Sequence, residues 1–201
     1  QQRNCNMLDK TNDNKINGFP LKLSYNEETF KWQKKPMVKD WQHATMTSEA
    51  FKKEPNTGHV IPDNIIILDV DPTPGRDTDV ILSELRDAIG EEIRFDIARI
   101  QKTISGGSHY AFWIPSDTKL RQGVDVLGIQ GLDTRTSGKG YIATGRNYVI
   151  KDKDVHEVFA DPFMCPELNT VLLQRLSAPK SVELDDFDLL IMENDKVTNR
   201  N

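Results

Sequence analysis

The run from Asn64 to Asp71, NIIILDVD, constrains this chain more than any other stretch. Three isoleucines and a leucine in succession form a run too short and too uniformly apolar for an amphipathic helix, and they match a strand buried on both faces. The strand ends in two acids. Side chains alternate along a strand, so Asp69 and Asp71 leave by one face at its C-terminal end while Val70 turns into packing. Two carboxylates on a rigid element suit a hard divalent cation, which is held by a few oxygens and completed by substrate phosphates. A solvated Asp-x-Asp turn is the competing reading of the same residues, and the segments that follow bear on the choice.

With 201 residues and 37% hydrophobic content, the chain can bury a core without staples. The net charge of -5 argues against a uniformly basic coat for nucleic acid but leaves room for a local basic groove. Charge is unevenly spread: Lys31, Lys34, Lys35, Lys39, Lys52 and Lys53 cluster early, whereas Glu183, Asp185, Asp186, Asp188, Glu193 and Asp195 crowd the far end. Cys5 and Cys165 stand apart with no C-x-x-C pair, so neither a zinc knuckle nor a disulfide framework is indicated. The sequence has no signal peptide, membrane-length apolar run or lipidation pattern, so a soluble protein of the host cytoplasm is expected.

Taken in order, residues 1–17 are polar and rich in Asn, Asp and Lys, and a mobile or loosely docked start is expected. Leu21, Leu23 and Tyr25 alternate, Asn26 to Glu28 form a turn, and Phe30 and Trp32 follow, so the stretch from Gly18 to Trp32 predicts a hairpin. Lys35, Lys39 and Trp41 lie in a basic loop suited to clamping a phosphate backbone or stacking a base, unless Trp41 is tucked into the core. A short helix is expected over Thr47 to Lys53. Asp77 or Thr78 caps a second helix with a stripe of Ile81, Leu82, Leu85 and Ile89, ended by Gly90. Ile93 to Ser105 predicts one or two strands, leading into GGSHYAFWIP. The pair Gly106 and Gly107 forms a bend that lets a phosphate approach the backbone, with Ser105 and His109 as donors beside it; a structural histidine is the alternative. Leu120 to Gly131 reads as a linker or short helix. In GLDTRTSGKGYIATG, Asp133 and Arg135 share one face of an extended segment, and Ser137 to Gly140 turn into a strand at Tyr141 to Ala143. Tyr148 to Ile150 reads as one more strand. Pro166 is placed for the first turn of a last helix carrying Leu168, Val171, Leu172 and Leu176, with Pro179 as its stop.

Three motifs in one order resemble the bifunctional DNA primase/polymerases, the prim-pol branch of the archaeo-eukaryotic primase superfamily common in plasmid and virus replication. They are Asp-x-Asp ending an apolar strand, S-G-G-x-H opening another, and L-D-x-R followed by G-x-G-Y-I-A. Lys35, Pro36, Trp41, Ala44 and Thr45, then Asn56, Thr57 and Gly58, are similar to the family's approach to its first motif. The likeness covers roughly residues 18–148.

The resemblance implies an α/β (α+β) fold: an RRM-like antiparallel sheet packed with an N-terminal α/β module, a two-lobed catalytic domain over 18–178, and an acidic tail or linker over 179–201. It further implies a template-directed nucleotidyltransferase in which Asp69, Asp71 and Asp133 hold two divalent ions, Mg²⁺ or Mn²⁺. Ser105, Gly106, Gly107 and His109 would bind the triphosphate of a dNTP or NTP, with Arg135, Lys139 and Lys102 as further phosphate or template contacts. Lys35, Lys39 and Trp41 would meet single-stranded template and primer. Relatives are often joined to a helicase or helical accessory domain, which makes such a domain an expected partner; some carry a zinc insertion that this chain lacks the cysteines to form. Competing functions are a metal-dependent nuclease or replication initiator, for which His43, His59, His109 and His156 offer no His-x-His pair, a nucleotide-sugar transferase, and a non-catalytic nucleic-acid-binding module.

Overall fold

The computed structural model describes residues 15–120 and 122–177. The expected mobile start up to residue 14 and the acidic tail therefore lie outside the described residues. In chain order the strands are β1 (Lys15–Asn26), β2 (Lys31–Pro36), β3 (Thr45–Thr47), β4 (Asn56–Val60), β5 (Ile65–Val70), β6 (Arg99–Thr103), β7 (Ser108–Trp113), β8 (Leu132–Arg135), β9 (Tyr141–Gly145) and β10 (Val149–Lys151). The helices are α1 (Ser48–Lys53), α2 (Thr78–Ile89), α3 (Phe95–Ala98), α4 (Val155–Ala160) and α5 (Thr170–Ser177). Among the described residues no helix is long and apolar enough to cross a membrane.

Two antiparallel sheets make an α+β fold. The first runs β2-β1-β4-β9 with β3 added to β1, and the second runs β10-β6-β7-β5-β8. The predicted hairpin is β1–β2, and Asn26 shapes its turn by accepting from the backbone N–H of Glu28 and Thr29, both at 2.9 Å. β1 begins earlier than the sequence predicts, because Lys15 to Asn17 pair with Thr45 to Thr47 and so are tied down.

Strand β5 is fully buried, paired with β7 on one side and with the edge strand β8 on the other. Its alternation sorts the second sheet into two faces. Ile66, Leu68 and Val70 join Tyr110 and Phe112 under the stripe of α2, Ile81, Leu82, Leu85 and Ile89. Asp77 caps α2 by accepting from the Val80 N–H at 2.9 Å, and Gly90 ends it at φ 71°. Ile65 and Ile67 face the other way, against Ile142 of β9 and Val155 and Val158 of α4. That second face is the one turned toward the first sheet, and it also carries Asp69.

Three expectations differ, the first being Lys35, which lies within β2 paired to Lys22 rather than in the basic loop. The start of the Ile93–Ser105 segment is the short helix α3, with only Arg99–Thr103 extended. The last helix begins at Thr170 rather than at Pro166. Trp113 N–H donates to Pro166 O and Leu168 N–H to Trp113 O, each at 2.8 Å, so Pro166 to Leu168 lie extended along the end of β7. Asn169 is the true cap, accepting from the N–H of Val171 and Leu172.

Candidate active site

Register places the chemistry. On β5, Asp69 lies directly opposite His109 of β7 on one side and Asp133 of β8 on the other. Thus residues far apart in sequence become neighbours across the sheet, with Arg135 one alternation beyond Asp133 on the same face. Like charges directly opposite each other in a sheet are destabilising. Arg135 offsets that cost: its Nε donates to Asp69 Oδ2 at 2.6 Å, and its Nη2 stands 3.9 Å from Asp133 Oδ2. His109 Nε2 is 3.1 Å from Asp69 Oδ1. That contact is poorly aligned, and Oδ1 is a buried carboxylate oxygen with no hydrogen-bond partner.

Asp71 follows the strand, exposed as a residue but with its carboxylate packed against the Gly106–Gly107 bend. Its backbone N–H donates to Gly131 O at 2.8 Å, which draws the start of β8 against the end of β5. The Gly106–Gly107 bend packs on Asp71 from the other side. A Cβ on Gly107 would fall 2.6 Å from Asp71 Oδ1 and 2.9 Å from Thr103 Oγ1, so only glycine allows this approach. Gly106 adopts φ 94°, and Ser105 Oγ lies 3.0 Å from Thr103 Oγ1. Ser105, Gly106 and Gly107 therefore border the site at Asp71.

The remaining groups meet in a cleft of about 270 Å³ between the sheets. The second sheet supplies Asp69, His109 and Arg135, the β8–β9 turn supplies Lys139 and Gly140, and the first sheet supplies Lys34, Tyr141, Ile142 and Ala143. Ligand pockets run from about 300 to 1,000 Å³, so this cleft suits a polyphosphate better than an entire nucleotide. A larger cavity of about 400 Å³ opens at the other end of β5, by Asp63, Ser116, Lys119 and Ser137, away from the acids of the motifs.

Lys34 is the residue that sequence reasoning passed over in favour of Lys35. It pairs with Leu23 across the hairpin, on the face that Trp32 also presents to the core, and its Nζ sits 5.0 Å from the centre of the Tyr148 ring. Lys35 pairs with Lys22 on the opposite face. The signal available in the sequence was the alternation itself: Leu21, Leu23, Trp32 and Lys34 share one side of a two-strand ribbon. Lys39 is exposed, and Lys102 points away from the buried neighbours Gln101 and Thr103. Trp41 is half-buried against Phe19 at 5.4 Å and Tyr141 at 4.9 Å, the tucked-in arrangement that was the alternative to stacking a base.

Electrostatics mark Asp69 as the anionic centre. Burial alone would raise its carboxyl, but His109 and Arg135 overturn that and hold it well below the usual carboxylate range. Asp71 and Asp133 move the other way, raised first by desolvation and then by the charge on Asp69. Among the described residues no three of His, Cys, Asp and Glu are gathered closely enough to cage an ion as they stand. Even so, the donor set fits a hard divalent cation: an orphaned carboxylate oxygen on Asp69, flanked by two acids whose ionisation is opposed by their neighbour.

These features define an α+β protein in which the Asp69 carboxylate, the His109 imidazole and the Arg135 guanidinium share one cleft between two antiparallel sheets, with Asp71 and Asp133 beside Asp69 in the chain and the ladder. The chain belongs to the bifunctional DNA primase/polymerase family, whose N-terminal domain model matches residues 18–167. Membership points to DNA primase and polymerase chemistry in general, that is, nucleotidyl transfer. No curated protein and no solved structure matches the chain.

Proposed function

We propose that this chain extends a primer on a single-stranded DNA template, with Asp69, Asp71 and Asp133 holding a pair of Mg²⁺ or Mn²⁺ ions and the cationic cleft receiving the nucleotide triphosphate. The observation that carries the reading is the register of β5, which sets Asp69 opposite Asp133 on one neighbour and His109 on the other. Such a pair of bound ions would neutralise charge on the reacting phosphoryl group and activate the attacking primer hydroxyl.

The chain's own groups do the rest. His109 presents its Nε2 side toward the cleft beside Asp69, where it serves as a donor to a phosphate oxygen. Arg135 neutralises Asp69 in the unliganded site and, once that carboxylate is otherwise engaged, its guanidinium fork is released toward phosphate. Lys34 and Lys139 close the cleft from the first sheet and the β8–β9 turn, adding point charges. The Ser105–Gly107 bend holds Asp71 in place from behind.

Incubation with a primed template, dNTPs and Mg²⁺ or Mn²⁺ tests this reading. Extension is expected, and Asp69→Ala together with Asp71→Ala should abolish it while circular dichroism remains that of a folded protein. Primer degradation without synthesis, or template binding without turnover in either metal, contradicts it.

A further inference from the structure

Gln101 is fully buried and sits opposite His109 in the β6–β7 register, just past the irregularity between Arg99 and Gln101 that re-aims the strand. Its amide nitrogen lies 2.9 Å from Ala143 O and 2.7 Å from His109 Nδ1, while its Oε1 is buried with no hydrogen-bond partner. A carbonyl oxygen only accepts, so Ala143 O fixes which end of the amide faces it. The amide has two N–H groups, and the second is directed at Nδ1. An imidazole nitrogen that accepts a hydrogen bond carries no proton, which leaves the ring proton of the neutral imidazole on Nε2. Nε2 is the atom facing Asp69 and the cleft.

We propose that Gln101 is a positioning residue that locks His109 as the Nε2-protonated tautomer, so that the ring presents an N–H to the phosphate of the incoming nucleotide. The phosphate half of this inference rests on the polymerase reading, whereas the tautomer half stands on the protein alone. The amide serves two buried acceptors at once, Ala143 O and His109 Nδ1, and leaves its own oxygen unsatisfied, so its nitrogen end is the one the site uses. The β9 backbone joins the arrangement through Ala143 O, so the first sheet helps orient a side chain carried by the second.

The test reads the tautomer directly, from ¹⁵N–¹H long-range correlations of the His109 ring at alkaline pH, with His109→Asn used for assignment. The wild-type protein should show Nε2 protonated and Nδ1 as acceptor. Gln101→Leu should give a mixture of tautomers, and Gln101→Glu should pull the proton to Nδ1. A wild-type ring protonated at Nδ1 overturns the proposal without any variant, as does an unchanged tautomer in Gln101→Leu. In primer extension, Gln101→Leu should raise the KM for dNTP about tenfold with a smaller effect on kcat. A tautomer shift with unchanged KM would remove the phosphate role. Absence of extension by the wild type, with the predicted wild-type spectrum, would defeat the polymerase reading and leave the lock intact.

Discussion

Asp133 illustrates how a residue can be expensive for the fold and necessary for the site. It faces Asp69 directly across the β5–β8 ladder, and its carboxyl is raised by desolvation and by that neighbour's charge. Buried charge pairs of this kind are poor evidence for stability. Asp133→Asn keeps the shape and removes the repulsion, so its melting temperature should rise, with a gain of about 0.5–1 kcal/mol, while primer extension is lost. A lower melting temperature would show that Asp133 supports the fold. Gly107 is a second residue-scale test. Its Ala variant places a methyl against Asp71 Oδ1, and the Mn²⁺ requirement for nucleotide binding should increase about tenfold as the carboxylate is displaced. An unchanged requirement would place Asp71 outside the ion site.

At the scale of elements, the β1–β2 ribbon sets which lysine reaches the cleft. Lys34 is on the face shared with Leu23 and Trp32, and Lys35 is on the face shared with Lys22. Lys34→Ala should therefore raise the KM for nucleotide about tenfold, whereas Lys35→Ala should leave it unchanged and act, if at all, on template affinity. Equal effects of the two substitutions would mean that the ribbon does not deliver its inner face to the site. The same ribbon shows what was legible beforehand. The hairpin, the capped helix α2 and the buried strand β5 were readable because their patterns are local: alternation, a cap acid with a glycine stop, and a run of β-branched residues. Pro166 to Leu168 were misread because their hydrogen bonds go to Trp113, more than fifty positions earlier, and no local pattern reports such a bridge. The placement of Lys34 and the contact of Gln101 with His109 were hidden for the same reason, since both depend on which strand lies beside which.

At the scale of the whole molecule, the two sheets are joined where β9 leaves the second sheet for the first and β10 returns, and the seam holds a buried histidine. His59 of β4 packs against Phe51 at 4.7 Å and lies 3.2 Å from Thr144 Oγ1. Burial, with Lys151 and His156 adding to it, pushes its pKa down to about 3 from 6.5. Between those values the unfolded chain binds the proton and the folded one does not, so stability falls as pH drops from 6.5 toward 3. The slope from this group is at most about 1.4 kcal/mol per pH unit. Acid titration of the unfolding free energy should show that decline, and His59→Gln should flatten it; an identical slope in the variant would place the acid sensitivity elsewhere. The ordered motifs identified the family because sequence order survives where geometry is unseen. The seam itself became visible only with the sheets side by side. If the carboxylates around Asp69 bind divalent ions together with a triphosphate, calorimetric titration should find dATP binding that requires Mn²⁺ and disappears in Asp69→Asn and Asp133→Asn. Metal-independent binding, or wild-type affinity in either variant, would mean that these acids hold no ions for the triphosphate.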